Sequence, residues 1–469
     1  MEYLFTKTPL AFFTMDLWRD EAFSFVMARQ NILDILRTSA QDFAPPFYYI
    51  ILHYWMLLFG RSEIALRSLS FLMYAFLLFV IFEIMTLVFK IAMKRALLYF
   101  LLMILNPFLN YYAFEARMYM MVAFLVTLSY FALWNNKKKL YIVSITLALY
   151  THYFAVFIFI AQMIGMVKIA KMRKILKQVQ HKNTRLMSTI KHLLATSYQL
   201  LIPSFLLLPW IVYVVLTHDF SHTTFWIIQP MLSDLFHMPF MLFTGYERVF
   251  GEYYHGAAGY IPFHTNINMM LGALLLVPVV ILKTTKPNSK LLTPHYVPHL
   301  YLWAFLPALM LFFLSFITTP IYLPRYAIGS VPGLLLLIVV SFELLGGLIK
   351  KYKAWISLAL LGILLYVTQV YNTLNITYHA KRSISSLYTE IQAVRTPQDV
   401  IYVTNELDFH LAQYYAHTNV FIFGKNYDEI PQYVGKSLIS KKYIRQSLPR
   451  YPMKAFIVHS DWYEVQALL

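Results

Sequence analysis

The chain has 469 residues, 59% of them hydrophobic and 13% charged, with 39 Lys and Arg against 22 Asp and Glu for a net charge of +17, and no cysteine. Average soluble domains are about 45–50% apolar and about 25% charged, so a soluble enzyme and a disordered chain are both excluded. The missing cysteines remove disulfides, thiolate nucleophiles, iron–sulfur clusters and cysteine-held zinc. What remains is an all-α polytopic membrane protein, because a lipid-exposed backbone must satisfy its own hydrogen bonds.

Residues 1–14 are too short for a span of about 20 residues. They are expected to lie in the interface or to form the end of a first helix. Residues 16–60 carry polar groups and are expected outside the membrane. Apolar segments follow at 64–89, 96–113, 117–134, 195–216, 265–282, 299–318, 327–349 and 354–372, with a shorter hairpin pair at 140–152 and 153–168. In all, about 10–11 transmembrane helices are expected. Between them sit five basic clusters: Lys90, Lys94 and Arg95; Lys137, Lys138 and Lys139; Lys168 to Lys191; Lys283, Lys286 and Lys290; Lys350, Lys351 and Lys353. Counted through alternating spans, all five fall on one side, which the positive-inside rule makes the cytoplasm. Charge that is spent on topology in this way needs no nucleic acid to explain it, and no basic stripe interleaved with aromatics is present. Beyond the last span, Ile401–Thr404 and Phe456–His459 read as strands and Ser383–Val394 as an amphipathic helix. The domains are therefore 1–372, transmembrane, and 373–469, a small α/β domain outside the cytoplasm.

The scarce polar groups collect on the face opposite the basic clusters. Asp16, Asp20 and Glu21 follow the first apolar stretch, and Asp42 precedes Pro45-Pro46. Glu115 and Arg117 stand where two spans meet, His152 and Tyr153 cap the hairpin, and Arg325-Tyr326 begin another span. Ionisable groups at membrane depth are costly and mark function by default. Each also has a structural reading: Asp20-Glu21 as solvated loop acids, Glu115–Arg117 as an interfacial ion pair, His152 as a hydrogen-bonded core histidine, and Arg325 as a snorkelling side chain. Glu83 and Glu343 have no assigned role.

Five pieces in order resemble the GT-C superfamily of glycosyltransferases that use polyprenyl-phosphate sugars, and among them the bacterial relatives of protein O-mannosyltransferases and aminoarabinose transferases. The pieces are Leu17-Trp-Arg-Asp-Glu-Ala22, Asp42-Phe-Ala-Pro-Pro-Phe-Tyr-Tyr49 running on to Phe59-Gly-Arg-Ser-Glu-Ile-Ala-Leu-Arg67, Tyr112-Ala-Phe-Glu-Ala-Arg-Met-Tyr119, Tyr150-Thr-His-Tyr-Phe154 and Arg325-Tyr326. The resemblance covers about residues 16–345 and is strongest over the first 155. Two features depart from it: relatives usually have a complete first helix before the Asp-Glu loop, and many have a histidine where this chain has Ala44.

The resemblance implies a GT-C fold and an inverting glycosyltransferase at the extracytoplasmic face of the cell membrane. It would move a mannose, another hexose or a pentose from a polyprenyl phosphate to a glycan, lipid or protein acceptor. Asp20 matches the family's catalytic aspartate, a general base for the acceptor hydroxyl. Glu21 and Asp42 would shape the acceptor or sugar pocket or orient Asp20. Arg325 and Arg117 would bind the phosphate, with Arg325 preferred because nothing adjacent in sequence neutralises it. Glu115 would hold Arg117 or serve as a second acid, and Tyr119, Tyr153 and Tyr326 would supply hydroxyls or stacking faces near His152. No cofactor or metal ligand set is expected, with a divalent ion left open. A transporter or flippase for lipid-linked sugars, or a ligase or polymerase using a diphosphate-linked glycan, would share the outer arginines. The first would favour broken midplane helices and repeats, and the second would not predict the early Asp-Glu loop.

Overall fold

The computed structural model of the protein describes residues 2–166, 185–219, 226–247, 261–284, 296–348 and 353–469. The expected basic positions at 168–184, Lys286, Lys290, Lys350 and Lys351 lie outside the described residues.

Helices occupy the expected segments closely. Ser62 accepts the Ala65 N–H at 3.2 Å, an N-cap that starts Glu63–Glu83, and one π-type turn carries the helix on through Val88. The 96–113 segment divides into Met93–Ile104 and Pro107–Ala113, bent by 62°. The cause is local: a residue preceding proline disfavours helical geometry. Asn106 therefore ends one helix and caps the next, accepting the Leu109 N–H at 3.0 Å with Pro107 in the first turn. The bend carries the chain to Glu115 and Arg117 before Tyr119–Trp134 begins. Lys138–Thr151 and Ala155–Met166 form the hairpin, and Arg185–Thr217, Ile261–Thr284, Tyr296–Leu314, Val331–Leu348 and Lys353–Tyr378 complete the bundle. Among the described residues, four helices are long and apolar enough to cross a membrane alone. The count is five if the bent pair is one span, and shorter apolar helices lie beside them. The chain is a multi-pass helical membrane protein.

The bundle has two chemically different ends. At one, Phe89, Trp134 and Tyr296 meet with ring centroids 5.3–5.7 Å apart, so the loops bearing Lys90 and Lys137 lie side by side. Glu343 finds its role at this end, accepting from Tyr99 at 2.9 Å and pairing with Arg95 at 3.0 Å. The opposite end is built from residues 11–60, which form helices Ala11–Thr14, Arg19–Ala28, Ile32–Gln41 and Phe47–Phe59.

Onto this second end docks the C-terminal α/β domain. Strands β1 (Val400–Val403), β2 (Val420–Phe423), β3 (Ile444–Arg445), β4 (Ala455–His459) and β5 (Trp462–Gln466) lie in the order β3-β2-β1-β4-β5. All neighbours are parallel except β4 and β5. Alternation across the strands sends Ile401, Val403, Phe456 and Val458 into the main core with Phe409, and Tyr402, Ala455 and Ile457 to the other face. The expected strands and the Ser383–Val394 helix, observed as Ile384–Val394, are present. The last helix runs on to Tyr378, six residues beyond the expected end at 372, and leads directly into the docked domain.

Docking is polar and specific. Asp408, 2% exposed, receives Arg19 at 2.7 and 3.2 Å and Arg382 at 2.6 Å. The Leu17 N–H donates to Tyr415 Oη at 2.8 Å, the Tyr414 hydroxyl donates to the Arg61 carbonyl at 2.9 Å, and the Ser385 N–H donates to Asp16 at 2.6 Å. Asp408→Ala would leave two guanidiniums unmatched. It is expected to cost about 2 kcal/mol, measured as a lower thermal midpoint and faster proteolysis within 379–408. An unchanged midpoint would show that the remaining contacts hold the domain unaided.

Candidate active site

The helix Arg19–Ala28 opens on two adjacent carboxylates with opposite fates. Glu21 is fully buried. Its Oε1 accepts from Arg67 Nε at 2.8 Å and the Ala116 N–H at 3.0 Å. Its Oε2 accepts from Arg67 Nη2 at 2.8 Å, the Trp18 N–H at 2.8 Å and Lys381 Nζ at 2.6 Å. Arg67 spends its remaining donors on the carbonyls of Phe13, Met15 and Asp16, so all five N–H groups of its fork are used. Burial by itself would raise the Glu21 pKa; Arg67 and Lys381 outweigh it and hold the carboxyl well below the ordinary range. One carboxylate thus ties together the 13–18 turn, the Glu63–Glu83 helix, the 115–117 turn and the start of the C-terminal domain.

Asp20 is 39% exposed. It lies in the first turn of its helix, where the macrodipole favours negative charge. Arg117 grips its backbone, with Nη1 donating to the Asp20 carbonyl at 3.2 Å and lying 3.4 Å from Ser24 Oγ. The carboxylate faces Arg325, whose Nη1 stands 3.9 Å from Asp20 Oδ2. On the other side, Arg325 Nε is 3.9 Å from Glu247 Oε1, and the Trp226 ring lies 5.2 Å from the guanidinium. Neither 3.9 Å approach is a hydrogen bond. Arg325 is therefore a buried cation, 7% exposed, held electrostatically between two carboxylates while Nε has no hydrogen-bond partner among the described residues.

Two cavities share Arg325 as a wall. The first is lined by four ionisable side chains, Glu115, Glu247, Arg325 and Lys381, together with Trp18, Tyr111, Tyr112 and His379. Burial pushes the Glu115 carboxyl up, reinforced by Glu21 and Asp20 and opposed by Lys381, and burial likewise raises Glu247 against the pull of Arg325. The second is lined by Val122, Phe154, Ile158, Pro307 and Ala327 beside His152 and Tyr326.

Asp20, Glu21, Glu115, Arg117 and Arg325 thus converge from three separate segments. Tyr119, His152 and Tyr326 form an aromatic wall next to them, with His152 5.9 Å from Tyr119 and 5.5 Å from Tyr326. His152 Nδ1 accepts the Phe154 N–H at 3.2 Å, so that nitrogen carries no proton. Two other residues stand apart. Asp42 accepts from Ser437 at 3.0 Å at the junction with the C-terminal domain, and burial pushes its carboxyl up to about 7 against Ser437 and Arg117. Tyr153 accepts from Trp210 at 3.0 Å and packs on Phe43. Glu115 makes no ion pair with Arg117; its carbonyl accepts from Ser70 at 2.6 Å.

Sequence reasoning passed over Glu247, Lys381 and the anchoring role of Arg67. Lys381-Arg382 did carry a signal: a basic pair just beyond a span on the side the positive-inside bias leaves poor in cations. Glu247 was one more acid in a long outer loop and carried none.

No family model matches the chain, and no curated protein matches it. Among solved structures, ArnT from Cupriavidus metallidurans in the apo state superposes with a TM-score of 0.57 at 13% identity, covering 97% of this chain and 92% of that one. ArnT bound to undecaprenyl phosphate gives 0.56 at 14% identity, with the same coverage. The chain has the ArnT fold. The expected helical membrane bundle with a small C-terminal α/β domain is thereby the one observed, and the ArnT likeness covers both parts. At this identity the ArnT fold is what the two chains share.

Proposed function

We propose that the protein is an inverting glycosyltransferase that takes a sugar from a polyprenyl phosphate and passes it to an acceptor hydroxyl at the extracytoplasmic face. The observation that carries this reading is Arg325, buried between two carboxylates with no hydrogen bond to its Nε among the described residues, and lining a cavity that also holds Glu115, Glu247 and Lys381. A buried guanidinium with donors to spare among ionisable side chains suits the phosphate of a lipid-linked sugar. ArnT, a structure with this fold, has been seen with undecaprenyl phosphate bound.

In the reaction, the acceptor oxygen attacks the anomeric carbon from the face opposite the phosphate, which inverts the centre. The bond from that carbon to the phosphate oxygen breaks and its electron pair stays on the phosphate. The acceptor proton passes to Asp20, whose exposed carboxylate is free of the hydrogen bonds that saturate Glu21. Arg325 stabilises the charge developing on the phosphate, a planar fork suited to two of its oxygens. Glu21 acts as a positioning residue, setting the turn on which Asp20 stands. The extracytoplasmic assignment rests on the site lying at the end of the bundle opposite Arg95 and Lys137, by the positive-inside rule.

The test is transfer by purified protein supplied with a panel of polyprenyl-phosphate sugars, and absence of any product with every donor would overturn the reading. Arg325→Ala is expected to lower kcat/KM for the donor about 100-fold, the scale of losing one preorganised charge donor. Unchanged donor dependence would place the phosphate elsewhere.

A further inference from the structure

We infer that Lys381, not Arg117, supplies the second cation to the donor phosphate, an assignment that rests on the reading above. Lys381 lines the same cavity as Arg325, and Arg117 does not. Arg117 is directed to the Asp20 carbonyl and Ser24, with its guanidinium 5.9 Å from the rings of Phe23 and Tyr119. It steadies the base; it does not line the cavity that holds Arg325 and Lys381.

Lys381 has both the charge and the donors to spare. The bidentate pair of Glu21 with Arg67 is already neutral in sum, so the ammonium that Glu21 also holds leaves one net positive charge in a buried network. Glu21 accepts one of the three N–H groups of Nζ, and no second hydrogen bond of Nζ occurs among the described residues. A buried ammonium that shares its carboxylate with a guanidinium, and faces Glu115 whose carboxyl burial pushes toward the neutral form, is stabilised when a further anion joins it. Burial accordingly lowers the Lys381 pKa despite Glu21. His379, which also lines the cavity and stacks on Tyr111 with centroids 4.1 Å apart, stays uncharged: burial first, then Lys381 and Arg325, push it down to about 3. Two cations brought in by segments 56 residues apart in sequence, around an uncharged ring, suit a phosphate dianion. Lys381 follows the last span, so the C-terminal segment completes the donor site.

The experiment compares binding of undecaprenyl phosphate and of unphosphorylated polyprenol to the purified full-length protein in nanodiscs. Wild type is expected to prefer the phosphate. Lys381→Met should shrink that preference about tenfold or more, the scale of a hydrogen bond to a charged group, with polyprenol binding unchanged; Lys381→Arg should retain most of it. Arg117→Met should leave the preference intact. If Lys381→Met does not fold, Lys381→Gln keeps an N–H for Glu21, drops the charge and makes the same comparison. A full preference in a folded Lys381→Met or Lys381→Gln, or its loss in Arg117→Met, would overturn the assignment with the glycosyltransferase reading intact. A wild type without preference would overturn that reading and this assignment with it.

Discussion

Asp20→Asn is expected to abolish sugar transfer while the protein still inserts, folds and binds its lipid donor. The substitution conserves size, removes the proton acceptor, and touches a side chain whose nearest charged partner stands at 3.9 Å. General-base contributions are about 10²–10⁴-fold, so initial rates should fall by at least the lower figure while the thermal midpoint stays put. Full activity in Asp20→Asn would remove the base from this position and leave the arginines without a reaction to serve.

The neighbouring substitution is expected to fail in a different way. Glu21→Gln leaves the Arg67 guanidinium and the Lys381 ammonium buried without their counter-charge. Removing one partner of a buried pair costs about 3–5 kcal/mol, so Glu21→Gln should give little monodisperse protein and a much lower thermal midpoint. The pH dependence has a definite sign. Glu21 ionises at lower pH in the folded protein than in the unfolded chain, so its contribution is complete above the ordinary value of 4.5. It is lost as pH falls from there through the depressed folded value. Wild type should therefore lose stability on the acid side below about 4.5, and Glu21→Gln should lack that component. A folded Glu21→Gln with wild-type stability would show that the network tolerates a neutral centre. Read together, the two variants separate a reacting carboxylate from an anchoring one although the residues are adjacent.

Much of this fold was legible in the sequence because lipid imposes a simple rule on it. Apolar runs must become helices, and cations between them must stay on one side. The segments near 64–89, 117–134 and 354–372 therefore matched their helices to within a few residues at most ends. The bend at Asn106-Pro107 departs from the single segment expected at 96–113, although its cause is local: what a proline permits. The strands around Ile401 and Phe456 were visible as short β-branched and aromatic runs.

What the sequence by itself determined, then, was the membrane class, the two unlike ends of the bundle, and the candidacy of Asp20 and Arg325 at one of them. The class and the two ends follow from composition, from apolar run length and from the placement of charge; the choice of Asp20 and Arg325 among the outer polar groups came from the resemblance of the five motifs. Only the tertiary structure decided which of two adjacent acids is sealed by five donors and which faces a cation. It alone brought Glu247 beside Arg325 and returned Lys381 to the cavity from beyond the last span. The physical reason is that the environment of a carboxylate depends on groups tens to hundreds of residues away, and no spacing along the chain encodes which of them will arrive.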